Sequence, residues 1–439
     1  MSTEHAERRN HAVRAAVEQG LLGEEEPVVA LLDIDGIRES AAALREAFAS
    51  VTDAPVLHAF AVKAAPLVPV LALLNAEGIG AEVASPGELA LARAAGVPLE
   101  RTVLDSPAKT PGELRDAIGL GIALNADNPQ ELTRIDELAG GADRLPPLGI
   151  RVNPQTGAGS IGALSTATAT SKFGVALRDP GARAAVVRMY RDRPWLTRLH
   201  LHSGSQGVAL TRMIEGVREV YALAEEINSA VGRRQVDTID IGGGLPVNFS
   251  SDEVRPTFAE YAALLKREVP GLMDGRYGLV TEYGRALLAK HGTILARVEY
   301  AKTAGGRRIA VTHAGVQVAT RTVYDPASWP LRIAAYDATG RPRDGAPVVQ
   351  DIAGPACFAG DLLAEGRELP PLDQGDVVAA LDTGAYYFSN HYGYNTLPRP
   401  AVHGFTADGE QVAFRLVRAA QTTAELVTEA GGDLADALL

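Results

Sequence analysis

The chain has 439 residues, 46% hydrophobic and 22% charged, an ordinary balance for a soluble globular protein with room for two domains. With 42 Lys and Arg against 54 Asp and Glu the formal charge is −12, which excludes nucleic acid and anionic membrane as expected partners, since neither finds a basic footprint. One cysteine, Cys357, excludes an intrachain disulfide and fits a reducing cytoplasm, while the charged opening MSTEHAERRNHAVRAAVEQG reads as no signal peptide and no stretch reaches the ~20 apolar residues of a membrane span.

In chain order, the first apolar run is PVVALLDID (27–35). It is expected to pair with the C-terminal domain, which leaves 1–35 as an N-terminal segment. From 56 to about 290 one unit repeats: a short apolar run, a polar or Gly-rich break, a helical stretch. The runs are VLHAFAV (56–62), IGAEV (79–83), RTVLD (101–105), GIALNA (121–126), LGIRV (148–152), TRLHLH (197–202), DTIDI (237–241) and YGLVTE (277–282). Short, nearly continuous apolar runs alternating with helices are how parallel strands covered on both faces read. Between them PLVPVLALLNAEG, GELALARAAG, TPGELRDAIG and TRMIEGVREVYALAEEINSA carry apolar residues three and four apart, and several close on Gly as helix C-caps do. These β-α units predict an α/β fold, a (β/α)8 TIM-type barrel over 36–290. The small, Gly-rich stretch QTGAGSIGALSTATATS (155–171) reads either as a mobile loop over the barrel mouth or as a disordered insertion. Past 290 the grammar changes. TILARVEY, RRIAVTHAG, APVVQDIAG, DVVAALDTG and QVAFRLVRA are separated by turns, so 291–439 is predicted as a second, mostly antiparallel β domain.

In such barrels the working residues sit at the C-terminal ends of the strands. Here those ends read Lys63, Glu82, Asp105, Asn125, Arg151 with Asn153, His202, Gly242 to Gly244, and Glu282. Lys63 is the odd one, because an ammonium ending an apolar run is costly unless paired or neutralised. DIGGGLP (240–246) places three glycines after a strand, where bare amides can hold a phosphate or simply make a tight turn. Ser205 in HSGSQG and Arg285 in EYGR, on adjacent late strands, favour the anion. A lysine, a phosphate cradle and a carboxylate, Glu282, are what pyridoxal 5′-phosphate (PLP) requires. The amine forms the Schiff base, the cradle takes the phosphate, and the acid keeps the ring nitrogen protonated. His202 reads as an imidazole stacked on that ring or as a hydrogen-bonded core histidine. A metal held by Glu82, Asp105 and His202 is the weaker reading, since no tight ligand spacing joins them.

From about 27 to 425 the chain resembles the alanine-racemase-fold (fold type III) PLP-dependent decarboxylases, the group of diaminopimelate, ornithine and arginine decarboxylases. FAVKA resembles the segment with the PLP lysine, which implies Lys63 as the Schiff-base residue. EVASPGEL, RVNP and SKFG resemble further family motifs. HLHSGSQ implies His202 as the stacking histidine and Ser205 as a phosphate ligand, and DIGGGLP implies Gly242, Gly243 and Gly244 around the phosphate. EYGR is similar to the family's EPGR, implying Glu282 on the ring nitrogen and Gly284 and Arg285 in the cofactor site. GPACFAGD implies Cys357 as the catalytic proton donor, where the residue alone would read as a small buried hydrophobe. GAYYFSNHYGYN implies Tyr386 near the phosphate. The resemblance also implies a homodimer in which Cys357 reaches the partner's active site. The activity implied is amino-acid decarboxylation. A racemase or epimerase would use the same fold and cofactor, and a non-catalytic PLP carrier would need no proton donor.

Departures from the pattern bear on the substrate. Family members acting on diamino acids carry an acidic residue after the cysteine to bind the distal ammonium, and this chain has Phe358. The Arg-Pro pair of diaminopimelate decarboxylases is aligned with Trp329-Pro330 in DPASWPLRIAAY, so a carboxylate-clamping arginine is expected to be missing, with Arg332 close by. Tyr283 replaces the proline of EPGR, Ala65 replaces an asparagine, and Asp361 remains a candidate to recruit a distal amine. The expected substrate is an amino acid whose side chain lacks a simple distal ammonium, contacted by Phe358, Asp361, Trp329 and Arg332.

Overall fold

In the computed structural model, which describes residues 2–140 and 145–439, every apolar run from 56 to 282 contributes a parallel strand. Strand β1 (Val28–Asp33) comes first in the chain. Then follow β2 (Val56–Ala61), β3 (Gly80–Val83), β4 (Thr102–Asp105), β5 (Ala123–Ala126), β6 (Leu148–Asn153), the two-residue β7 (Val175–Ala176), β8 (Leu196–His200), β9 (Thr238–Asp240) and β10 (Gly278–Thr281). Pairing runs β2-β3-β4-β5-β6-β8-β9-β10, and β10 pairs back onto β2, closing the barrel. Strands β3, β4 and β5 are buried at every residue, which is why they read as unbroken apolar runs rather than as alternation.

Local chemistry fixes where four of the barrel helices start. Ser85, Thr110, Asn128 and Thr257 each accept a hydrogen bond from the amide three residues on, with proline next in line at Pro86, Pro111 and Pro129. Each such cap is worth about 1 kcal/mol. Gly121 and Gly232 end their helices in the left-handed conformation that a Cβ would oppose.

The 155–171 stretch is a pinned loop, neither free nor structureless. Gly157 N–H donates to Ala167 O and Gly159 N–H to Ser165 Oγ, while Asn153 and Gln155 side chains hold the carbonyls of Thr168 and Ala169. Ser160 N–H reaches Gly207 O, Ser205 N–H reaches Leu164 O, and Thr166 Oγ1 donates to His202 O. Backbone groups make about half of these bonds and the Ser165 and Thr166 hydroxyls add two more, which composition alone could not foretell.

A second unit joins the residues up to Ile37 with Asn248–Val254 and Leu288–Leu439, and the barrel unit spans Arg38–Val247 with Arg255–Leu287. The second unit contains β11 (Gly292–Ala304), β12 (Arg307–Thr312), β13 (Ile333–Tyr336), β14 (Val348–Ala353), β15 (Leu362–Leu369), β16 (Val377–Leu381), β17 (Ala401–Asp408) and β18 (Gln411–Arg418). Its pairings are antiparallel except β12–β14 and β1–β17. The early strand β1 lies between β11 and β17. Val29, Leu31, Leu295, Ala379 and Phe405 form its core, together with Ala12, Val13 and Ala16 of the N-terminal helix Ser2–Glu18. No helix among the described residues is long and apolar enough to cross a membrane.

Candidate active site

Lys63 does not end the strand. β2 stops at Ala61, and Val62–Ala64 form a single 3-10 turn that carries the lysine beyond it. Register sets Ala61 opposite Glu82 on β3, and Lys63 Nζ donates to Glu82 Oε2. The carboxylate is buried while the lysine side chain is 45% exposed, so the ammonium is neutralised yet stays reachable. That resolves the cost of a lysine at this position.

The glycine turn after β9 is built for close approach. Gly242 and Gly244 have φ of +66° and +92°. A Cβ on Gly243 would collide with the Glu282 carbonyl oxygen, and one on Gly244 with that of Gly204. Gly242 N–H donates to Asp240 Oδ1 at 2.9 Å and Gly243 N–H to His202 Nδ1 at 3.1 Å. His202 Nδ1 is therefore an acceptor, which puts the proton of the neutral ring on Nε2. Burial and then Arg151 hold its pKa well below the ordinary value. Among the described residues, the amides of Gly244 and Leu245 donate to no protein acceptor. Ser205 offers its hydroxyl there, since its amide is committed to Leu164, and buried Arg285 approaches with Nη2 3.5 Å from Ser205 Oγ. Gly284 sits tight against Ala61 and Ala64, where a side chain would not fit. Two amides, a hydroxyl and a buried guanidinium are a donor set for a phosphate dianion.

Glu282, one residue past β10, is 5% exposed, and its Oε1 is buried without a hydrogen-bond partner. An N–H donor on a ligand would satisfy it. Lys63 for an aldehyde, the glycine turn with Ser205 and Arg285 for a phosphate, and Glu282 for a ring nitrogen all lie in the barrel unit, so the donor set fits PLP. Sequence reading missed what stands beside them. Buried His200 lies with Nδ1 3.5 Å from Asp105 Oδ1 and Nε2 3.5 Å from Glu282 Oε2. The sequence signal for it is the alternation His200-x-His202, which sets two imidazoles on one face of the chain. Glu82 turns to Lys63 and His202 to Gly243, so the trio considered for a metal does not converge as a ligand set.

The β unit holds the remaining residues. Tyr386 has φ +67°, a conformation that a bulky residue adopts only under constraint. Arg321 Cζ lies 4.6 Å from its ring centroid and 5.2 Å from that of Trp329, and Arg321 Nη1 is buried without a hydrogen-bond partner. This unit therefore holds an arginine, eight residues before Trp329, whose guanidinium lies between two rings with one buried N–H unpaired. Arg332 is otherwise engaged. Its Nε and Nη2 bind Asp382 at 2.8 and 2.9 Å and Nη2 also binds Asp252 at 2.7 Å, which leaves it a structural ion pair rather than a free clamp. Asp361 likewise accepts from Val316 N–H and Ala356 N–H, both at 2.7 Å, and so shapes the loop before Cys357. Cys357 is exposed, not a buried hydrophobe, and its N–H donates to Asn395 Oδ1 at 2.7 Å. Phe358 stacks on Tyr324 at 5.9 Å and meets Tyr394 edge-on at 5.2 Å.

Residues 34–289 match the family described as pyridoxal-dependent decarboxylase, pyridoxal binding domain. A diaminopimelate decarboxylase of Pseudomonas fluorescens is 35% identical over 378 residues, 85% of this chain and 86% of its own length. Diaminopimelate decarboxylase of Helicobacter pylori, in complex with L-lysine, superposes with a TM-score of 0.81 at 25% identity, covering 95% of this chain and 99% of that one. Lysine/ornithine decarboxylase of Vibrio vulnificus, in complex with putrescine, gives 0.73 at 25% identity, with 91% and 98% covered. The chain belongs to the fold type III pyridoxal-dependent decarboxylase family, and is a PLP-dependent carboxy-lyase acting on an amino acid.

Proposed function

We propose that Lys63 holds the cofactor aldehyde, that Gly242 to Gly244, Ser205 and Arg285 hold its phosphate, and that Glu282 Oε1 accepts the ring N–H. The observation that carries this reading is Glu282 Oε1, ionisable, buried and unpartnered just past a barrel strand. Bound PLP supplies an electron sink for the pair left behind when CO2 departs. The chain's own residues do the rest. Glu82 orients the Lys63 ammonium, Gly243 N–H locks the His202 ring for stacking, and Gly284 keeps side chains away from the lysine turn. Cys357, the one cysteine and solvent-accessible, gives the proton that replaces the carboxylate. As in the family it resembles, the chain works as a cytoplasmic homodimer with active sites at the subunit interface.

The substrate is an amino acid whose far end is not a simple ammonium. Two features of the β unit support this. Phe358 and its neighbours Tyr324 and Tyr394 offer no charge to an ammonium, and Arg321, a cation with a bare buried N–H, repels one and attracts a carboxylate. Diaminopimelate, whose far end carries a carboxylate beside its ammonium, is therefore the first candidate, as the name of the Pseudomonas fluorescens relative also suggests. The test is CO2 release by the PLP-loaded chain across diaminopimelate, lysine, ornithine, arginine and apolar amino acids. A carboxylate-ended or apolar substrate is expected to lead, and the best turnover on lysine or ornithine would overturn the assignment.

A further inference from the structure

Three carboxylates surround one imidazole beneath the barrel mouth. Asp105 ends β4, His200 ends β8, Asp240 ends β9 and Glu282 follows β10; all four are buried, with ligand-type atoms within 4.8 Å of one another. The donors available are few. Asn125 Nδ2 reaches Asp105 Oδ2 at 3.3 Å and Asp240 Oδ2 at 3.5 Å, and Gly242 N–H serves Asp240 Oδ1. Neither nitrogen of His200 makes a hydrogen bond, nor does Glu282 Oε1. Asp105, Asp240 and Glu282 each bring a carboxylate oxygen within 4.8 Å of the other two, with His200 between Asp105 and Glu282. The other charges facing the group are the acids Glu82 and Asp127 and the cations Lys63, Arg151 and Arg198, while His202 is neutral.

Like charges this close repel strongly in a protein interior, where little water screens them. Three buried carboxylates at this spacing do not all ionise, and such pairs titrate as units that share a proton. We infer that Asp105 is a positioning residue: it retains a proton, donates it to Glu282, and leaves the pair with one negative charge and Oε1 as the bare acceptor. Burial acts the same way, pushing the Asp105 and Glu282 carboxyls up and His200 down to about 4, so the imidazole stays neutral and brings no compensating charge. The role of Oε1 rests on the reading that Glu282 meets the cofactor ring nitrogen, whereas the shared proton belongs to the cofactor-free chain as well.

The experiment is infrared spectroscopy of the cofactor-free protein at neutral pH, with Asp105→Asn and Glu282→Gln beside the parent. The protonated-carboxyl band is expected in the parent and to shrink by one carboxyl equivalent in each variant, with circular dichroism unchanged in at least one. The pH at which the band vanishes in Asp105→Asn is expected to fall by about one unit or more, a change that a packing role would not produce. An undiminished band in both variants overturns the inference, as does stoichiometric bound metal in the purified parent, because a cation would then neutralise the acids. PLP titration separates this from the site reading. A Glu282→Gln protein with an unaltered cofactor spectrum defeats the ring-nitrogen assignment while leaving the shared proton to stand or fall on its band.

Discussion

Replacing Arg332 by Met separates a structural cation from a substrate clamp. Arg332 binds both oxygens of Asp382, which is 2% exposed and held at φ +60°, and shares Asp252 with Arg9. Removing one partner of a buried pair costs about 3–5 kcal/mol, because the remaining charge is stranded. Two facts reduce that here. Lys290 Nζ remains 3.2 Å from Asp382 Oδ1, and the Asp252 side chain is 21% exposed and keeps Arg9 at 2.9 Å. The expected loss is therefore about 2–3 kcal/mol, or roughly 5–10 °C in unfolding midpoint at the ~2–4 °C per kcal/mol typical of domains of this size. Burial would raise the Asp252 carboxyl, but Arg332 and Arg9 hold it well below the usual range. Its pairing thus stabilises above the unfolded carboxyl pKa near 4 and is lost as pH falls below it, so the difference between variant and parent should narrow in acid. The assays are thermal unfolding and KM for the best amino acid, with Arg321→Met as the contrast. Arg321 makes ring contacts worth about 0.5–2 kcal/mol, so its variant should stay folded and lose substrate affinity instead. An Arg332→Met protein with an unchanged midpoint and a tenfold higher KM would refute this reasoning.

Lys63→Ala should leave the fold intact but abolish the visible imine band on adding PLP, and borohydride should then label no residue; a retained band would place the Schiff base elsewhere. Gly244→Ala forces a Cβ onto a φ of +92° and into the Gly204 carbonyl, so PLP affinity in a fluorescence titration should fall at least tenfold while β-domain unfolding is unaffected. Burial holds His58 and His200 down at about 4 and His291 at about 3, so these rings are neutral in the folded chain while the unfolded chain binds their protons below pH ~6.5. Unfolding free energy should consequently drop as pH falls from 6.5 to 4. His58→Gln, which removes one of the three, should flatten that slope by up to about 1.4 kcal/mol per pH unit, and an unchanged slope would show that His58 is protonated when folded.

The barrel was legible because its signals are local. A fully buried parallel strand must be apolar at consecutive positions, and the caps at Ser85, Thr110 and Asn128 declare each helix within four residues of its start. Polar residues that interrupt such a run stand out, and Lys63, Gly242 to Gly244 and Glu282 were found that way. The β unit lacked this advantage. What Arg332 does depends on Asp382, 50 positions away, and what Asp361 does depends on Val316, 45 positions earlier. No pattern within a window exposes such partners. Arg321 stayed hidden because nothing in its own segment marks it, and only the fold sets two aromatic rings around the guanidinium.

The acid cluster shows the limit most clearly. Asp105 closes an apolar run and looks like an ordinary strand-terminating polar residue, while Asp240 and His200 sit inside theirs. Register makes them neighbours, pairing Asp105 with Asn125 and His200 with Asp240, and closure of β10 onto β2 brings Glu282 round to meet them. Packing alone would have favoured Leu or Val at these positions, which carry no desolvation cost. Instead the barrel keeps buried carboxyls with burial pushing Asp240 up to about 7. Departures from the local rule concentrated at one end of one barrel indicate a site, because only a bound group or a shared proton can offset the charge that folding confines there.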